Sequence, residues 1–176
     1  MKKVVLIVVL ILLPAMFFGQ SVLDKFDDHD DVTSVIVTKK MFELISLLAV
    51  DTSDKEALEY QELIKKVDNL KLYSTTSKRA SSEMKTAYGK YMKSAGLVEL
   101  VRINENGSSV KIAGKSATEQ NKLKELLMFM EGSSDEDPTI LLSLTGSFDL
   151  NEISTITAKM KIPGGEELKG ATKQKL

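Results

Sequence analysis

The chain has 176 residues, 43% hydrophobic and 28% charged, with 24 basic and 25 acidic residues, one histidine and no cysteine. A near-neutral balance gives it no electrostatic reason to bind nucleic acid. The missing thiols exclude disulfides, a cysteine nucleophile, a thiolate metal site and amino-terminal lipidation of the bacterial lipoprotein kind.

Met1-Lys2-Lys3 precede an unbroken apolar run from Val4 to Leu13, then Pro14 and Ala15-Met16-Phe17-Phe18-Gly19-Gln20. A basic start, an apolar core and a small residue before a polar segment predict a secretory signal peptide over residues 1–20, cleaved near Gly19 or Gln20. The alternative is an uncleaved anchor. Against it, the apolar run to Phe18 is interrupted by Pro14 and is shorter than the roughly 20 residues a spanning helix needs. Cleavage leaves 22 basic against 25 acidic residues, a net charge of −3. The expected location is periplasmic or extracellular, without a lipid anchor, and with membrane association only if the leader stays. About 156 residues remain, enough for one hydrophobic core.

Ser21 to Asp31, SVLDKFDDHDD, is polar and acidic and reads as an exposed, flexible lead-in. Val32 to Val37 is short and β-branched, as a strand should be. Thr38 then caps a helix on which Met41, Leu44, Ile45 and Leu48 recur at helical spacing. Ser53 with Glu56 forms a capping box for the next helix, which carries Ala57, Tyr60, Ile64 and Val67 on one face. Asn69 to Thr75 reads as the second strand. Ser77 caps the longest helix, with Ala80, Met84, Ala87, Tyr88, Tyr91 and Ala95 along one stripe and Gly96 as its stop.

Leu97 to Gly114 contains two apolar-rich runs around Asn104-Glu105-Asn106-Gly107. Asn-Gly between such runs predicts a tight hairpin, because both residues tolerate φ > 0. Leu123 to Glu131 fits helix or strand by periodicity alone, and its flanking turn signals favour a strand. Thr139 to Phe148 is the next strand, paired to it across the acidic loop Ser133–Asp137. Asp149 with Glu152 forms another capping box before a short helix, which Pro163-Gly164-Gly165 stops. The predicted fold is α+β, a single mostly antiparallel sheet of about six strands with helices packed on one face. Its domain spans residues 32–162, after the 21–31 lead-in and before a flexible tail at 163–176.

Candidate chemistry is sparse. Asp27-Asp28-His29-Asp30-Asp31 holds the only histidine beside four carboxylates, a donor set that suits Ca²⁺ or, through His29, a softer ion. No glycine supplies the turn that would wrap an ion, so a solvated acidic segment is the favoured reading. Ser133–Asp137 reads the same way. Ser82-Glu83-Met84-Lys85 matches the S-x-x-K pattern of penicillin-recognising enzymes, but the S-D-N and K-T-G partners are missing. Gly114-Lys115-Ser116 echoes the end of a phosphate-binding loop, yet Ser109 stands where its first glycine belongs. Asn106-Gly107-Ser108 fits a glycosylation sequon within residues that already have a turn role. With one histidine and no such motif, the chain is expected not to be an enzyme and to need no cofactor or metal. Met84, Tyr88, Met128 and Met130 are the residues that would line a cavity for a small apolar ligand. The plainer reading places them in the core.

Several stretches together resemble the exported family catalogued as domain of unknown function 4252, common in Bacteroidetes. They are the leader, the Val32–Val37 strand running into Thr38-Lys39-Lys40-Met41, and LIKKVDNLKL at Leu63–Leu72. The hairpin LVELVRINENGSSVKI and the late LLSLTGSFDLNEIS complete the resemblance, which spans Leu23 to Lys161. It implies export and supplies no active-site residues. Many relatives are expected to be lipoproteins, whereas this leader has no cysteine. The leading expectation is a non-enzymatic envelope protein that binds a protein partner, in envelope stress or signalling. The alternative is a carrier of a small apolar or lipid ligand in a cavity between helices and sheet.

Overall fold

The strand-forming segments of the second half follow one another without helices between them, so each can fold back only as an antiparallel neighbour. In the computed structural model, which describes residues 21–47, 55–105, 107–117, 122–134, 136–149 and 152, they do so. The elements are α1 (Ser21–Asp24), β1 (Thr33–Thr38), α2 (Lys39–Ser46), α3 (Lys55–Ile64), β2 (Val67–Thr75) and α4 (Lys78–Ser94), then β3 (Val98–Glu105), β4 (Ser108–Ser116), β5 (Leu123–Glu131) and β6 (Thr139–Phe148). The six strands form one sheet in the order β1-β2-β6-β5-β4-β3, antiparallel throughout. The α+β class and the antiparallel sheet are as predicted.

Local chemistry explains most boundaries. Glu105 pairs with Ser108 at the β3–β4 hairpin, and Gly107 has φ 86°, the left-handed geometry expected of this turn. Ser77 accepts a hydrogen bond from the Ala80 N–H at the start of α4, and Gly96 follows its end at φ 67°. Thr38 precedes α2 in an extended conformation but makes no side-chain cap. The Asp149–Glu152 box is complete: each backbone N–H donates to the other residue's carboxylate, at 3.0 and 2.8 Å. The helix expected after it, the Ser53–Glu56 box, the leader and the tail lie outside the described residues.

The helices, expected together on one face, divide between both. Leu126 and Met128 of β5 and Ile140, Leu142 and Leu144 of β6 join Phe42 of α2 and Ile64 of α3 in one core. The intervening Leu127, Phe129 and Leu141 join Met84, Ala87, Tyr88 and Tyr91 of α4 in the other. The central strands are buried on both sides, which is why LLMFM and ILLSL show no polar alternation.

The stretch 21–31, expected as an exposed flexible lead-in, is part of this second core. Leu23 and Phe26 are buried in it, and the Phe26 ring lies 5.6 Å from that of Tyr73. Composition misled here because two apolar side chains among acidic neighbours are enough to anchor a short segment. The domain therefore begins before Val32.

Candidate functional site

The acidic cluster is taken apart by its partners. Lys71 on β2 donates to Asp24 at 2.7 Å and to Asp27 at 3.0 and 3.2 Å, and the Tyr73 hydroxyl donates to Asp27 at 2.6 Å. Burial opposes the charge on Lys71, but its hydrogen bonds with the two carboxylates outweigh that and hold its pKa above the usual value. Burial, then the bond to Asp27, pushes the Tyr73 phenol up. At the other end, the Arg79 guanidinium bonds Asp31 at 3.1 Å and holds that carboxyl below its ordinary range. His29 accepts from the Asp31 N–H and faces Glu83 at 4.0 Å. Among the described residues, no three potential ligands converge on a common point.

Ser82 and Lys85 lie on one turn of α4, beside a polar cleft that also includes Ser81, Glu131 and Thr139. Lys85 donates to both oxygens of Glu131, at 3.1 and 2.7 Å, an ammonium–carboxylate pair rather than a lysine placed to take a proton from Ser82. Ser81 and Thr139 share a 2.7 Å hydrogen bond. Gly114-Lys115-Ser116 lies within β4 and opens no helix, so it has no phosphate-cradling geometry. In the Ser133–Asp137 loop, Asp137 accepts from both serine hydroxyls and the Ser134 N–H. These bonds depress its pKa.

The four residues proposed to line a cavity are not brought together. Met84 and Tyr88 belong to the α4 face, whereas Met128 and Met130 point to the face that carries α2 and α3. A single cavity touching all four would have to pass through the sheet. Met84 and Met128 are fully buried among core side chains.

The family model described as Domain of unknown function (DUF4252) matches residues 26–156. The chain belongs to this family. No curated protein and no solved structure matches it. The matched span of the DUF4252 domain opens at Phe26, inside the stretch that packs on the α4 face and outside the boundary expected from composition.

The feature that sequence reasoning missed in this DUF4252 domain is an exposed apolar surface at the β1 edge. On α2, Phe42 and Ser46 turn inward, while Met41, Leu44 and Ile45 are 50%, 49% and 37% exposed, and Leu47, which follows the helix, is 80% exposed. The preceding strand leaves Val35 and Ile36 at 46% and 41%. Helical spacing had marked Met41, Leu44 and Ile45 as one stripe, and the stripe faces solvent. A basic cleft begins at Lys39, the first residue of α2, and is lined also by Lys65, Lys66, Lys124 and Asp68. Three of these lysines are already paired: Lys39 with Asp68, Lys65 with Glu62 and Lys66 with Glu152.

Proposed function

We propose that this chain is an exported, non-enzymatic interaction module of the cell envelope, and that it binds a protein through the β1 edge and the outer face of α2. The observation that carries the reading is the exposure of Val35, Ile36, Met41, Leu44, Ile45 and Leu47 within one short stretch of chain. Val35, Met41, Leu44, Ile45 and Leu47 lie toward the α2 side and present apolar area on the order of several hundred Å², the scale at which a surface patch marks an interaction site. Ile36, opposite Lys71, faces the other side of the sheet. The ionisable side chains that would serve catalysis are engaged in structural pairs instead, Lys85 with Glu131 and Asp27 with Tyr73. Export is supported by the basic, apolar and small-residue succession of residues 1–20.

The test is a photo-crosslinking amino acid at Leu44 in the producing cell, with a second at exposed Lys90 as a control. The expected result is a discrete protein adduct at Leu44 alone, lost when Met41→Asp places a charge in the patch. An absent adduct, or one indifferent to Met41→Asp, would overturn the reading. The intact mass of the recovered chain checks export: a start near Ser21 is expected, and a chain retaining residues 1–20 would contradict cleavage.

A further inference from the structure

The two edges of the sheet are built differently. β3 carries a bulge between Glu99 and Val101, and Arg102 grips Glu99 at 3.0 and 2.7 Å on the strand itself. A bulge and charges are the devices by which edge strands resist pairing with another chain. β1 has neither. Its six residues, Thr-Ser-Val-Ile-Val-Thr, hold no charge, proline or glycine, and its register with β2 runs unbroken from Thr33↔Ser74 to Thr38↔Asn69. Among the described residues no strand lies on its outer side.

We infer that the occupant of this edge is a second copy of the same chain, its β1 antiparallel to the first, so that two six-stranded sheets join into one. This rests on the interaction reading above and names its partner. A two-fold axis perpendicular to the sheet keeps every side chain on its own face, so one residue must meet its own copy. With Val35 at the axis, Ser34 pairs with Ile36 and Thr33 with Val37, and no like charges meet within the strands. The flanks then complement each other. Asp30 of each copy comes to the end where Lys40 of the other stands, a match that a partner of arbitrary charge would not share, whereas Asp31 and Lys39 keep their own-chain partners Arg79 and Asp68. Centring on Ile36 shifts this match by two positions.

The strand alone offers about 20 Å of edge, less than a stable dimer needs. The remaining area comes from α2, which packs across β1 and β2 on the face that Val35 shares with Leu72. The exposed Met41, Leu44 and Ile45 thereby become part of the contact, and the apolar stripe acquires a covering that the monomer lacks.

The absence of cysteine makes the test direct. The chain as recovered from the producing cell is examined by sedimentation velocity as wild type and as Val35→Lys, and by mild oxidation as Val35→Cys and Ile36→Cys. The expected outcome is a reversible wild-type dimer whose dissociation constant rises about tenfold or more in Val35→Lys, where like charges face each other at the axis. Val35→Cys should crosslink to its own copy, and Ile36→Cys should not. Thermal unfolding of Val35→Lys shows that the monomer is folded. A wild-type monomer at about 100 μM, or crosslinking through Ile36 alone, would overturn the proposal. A monomer that still crosslinks through Leu44 to a different protein removes the second copy and leaves the interaction reading standing. A monomer with no adduct removes both, and sedimentation with anionic vesicles in place of self-association would make the occupant a lipid surface.

Discussion

The hydroxyl of Tyr73 in β2 donates to the Asp27 carboxylate at 2.6 Å, and this bond ties the amino-terminal acidic stretch to the middle of the α4 face. Asp27 also holds Lys71, so one carboxylate satisfies two donors that burial would otherwise leave wanting. The stretch thus contributes to the fold twice, through this polar anchor and through the buried Phe26.

Separate substitutions distinguish the two contributions. Tyr73→Phe keeps the ring and should cost about 1 kcal/mol, because Lys71 still satisfies Asp27. Asp27→Ala leaves a buried phenol without its acceptor and should cost about 2–3 kcal/mol. Phe26→Ala empties a packed site and should cost about 3–4 kcal/mol. Urea unfolding with unchanged m-values measures all three. If Phe26→Ala matched the wild type, the stretch would be the loose lead-in that its composition suggests.

Met84 and Met128 lie on opposite faces of the sheet, in separate cores. Each truncation to alanine should therefore cost about 2–5 kcal/mol by creating its own cavity. The double variant should show the sum to within about 0.5 kcal/mol, as expected of sites without shared partners. A coupling well above that would place both residues around one space and revive the ligand-carrier alternative.

How much of this was legible in the sequence depended on whether the signal was local. The hairpin turn at Gly107, the Ser77 cap and the Asp149–Glu152 box are chemistry between near neighbours, and each is present. Helical spacing correctly grouped Met41, Leu44 and Ile45, but grouping carries no direction: Phe42, off the stripe, is the residue that reaches the core. The candidate site was invisible for a different reason. It exists because β1 lies at the edge and β6 inserts between β2 and β5, and strand order is a long-range property that no window of sequence records. Phe26 was hidden by its charged neighbours.

Gly146 marks a close approach of two backbone segments. A Cβ built there would collide with the Lys66 carbonyl oxygen, which accepts a 3.0 Å hydrogen bond from the Ser147 N–H. The β2 register shifts between Val67 and Asn69 at this point, so the backbone of the preceding turn crosses directly over the glycine. Gly146→Ala must push two backbones apart and should cost about 2–3 kcal/mol. Gly89 on α4 meets nothing within 4 Å, so Gly89→Ala should instead stabilise by about 0.5–1 kcal/mol through helix propensity. Paired thermal melts give the comparison, and equal effects would sink the steric account.

Tyr88 on α4 lies against Phe129 with ring centroids 5.6 Å apart, and its buried hydroxyl has no hydrogen-bond partner among the described residues. Burial, with the Glu99 charge adding to it, pushes its pKa from 10.0 up to about 12. The folded state therefore keeps the phenolic proton after the unfolded chain has released it. That contribution to stability is complete below pH 10.0 and is lost as the pH climbs toward about 12. Burial, followed by a carboxylate hydrogen bond, pushes Tyr73 and Tyr91 in the same direction, so the alkaline loss has three contributors. Denaturant titrations from neutral pH upward should show stability falling above pH 10, and less steeply in Tyr88→Phe. At neutral pH, Tyr88→Phe keeps the packing and removes an unsatisfied group, so it should be neutral or stabilise by about 1 kcal/mol. Tyr73→Phe, which breaks a bond that is made, should lose about that amount. If the two substitutions cost the same, the Tyr88 hydroxyl has a partner and its burial is not the cause of the alkaline loss.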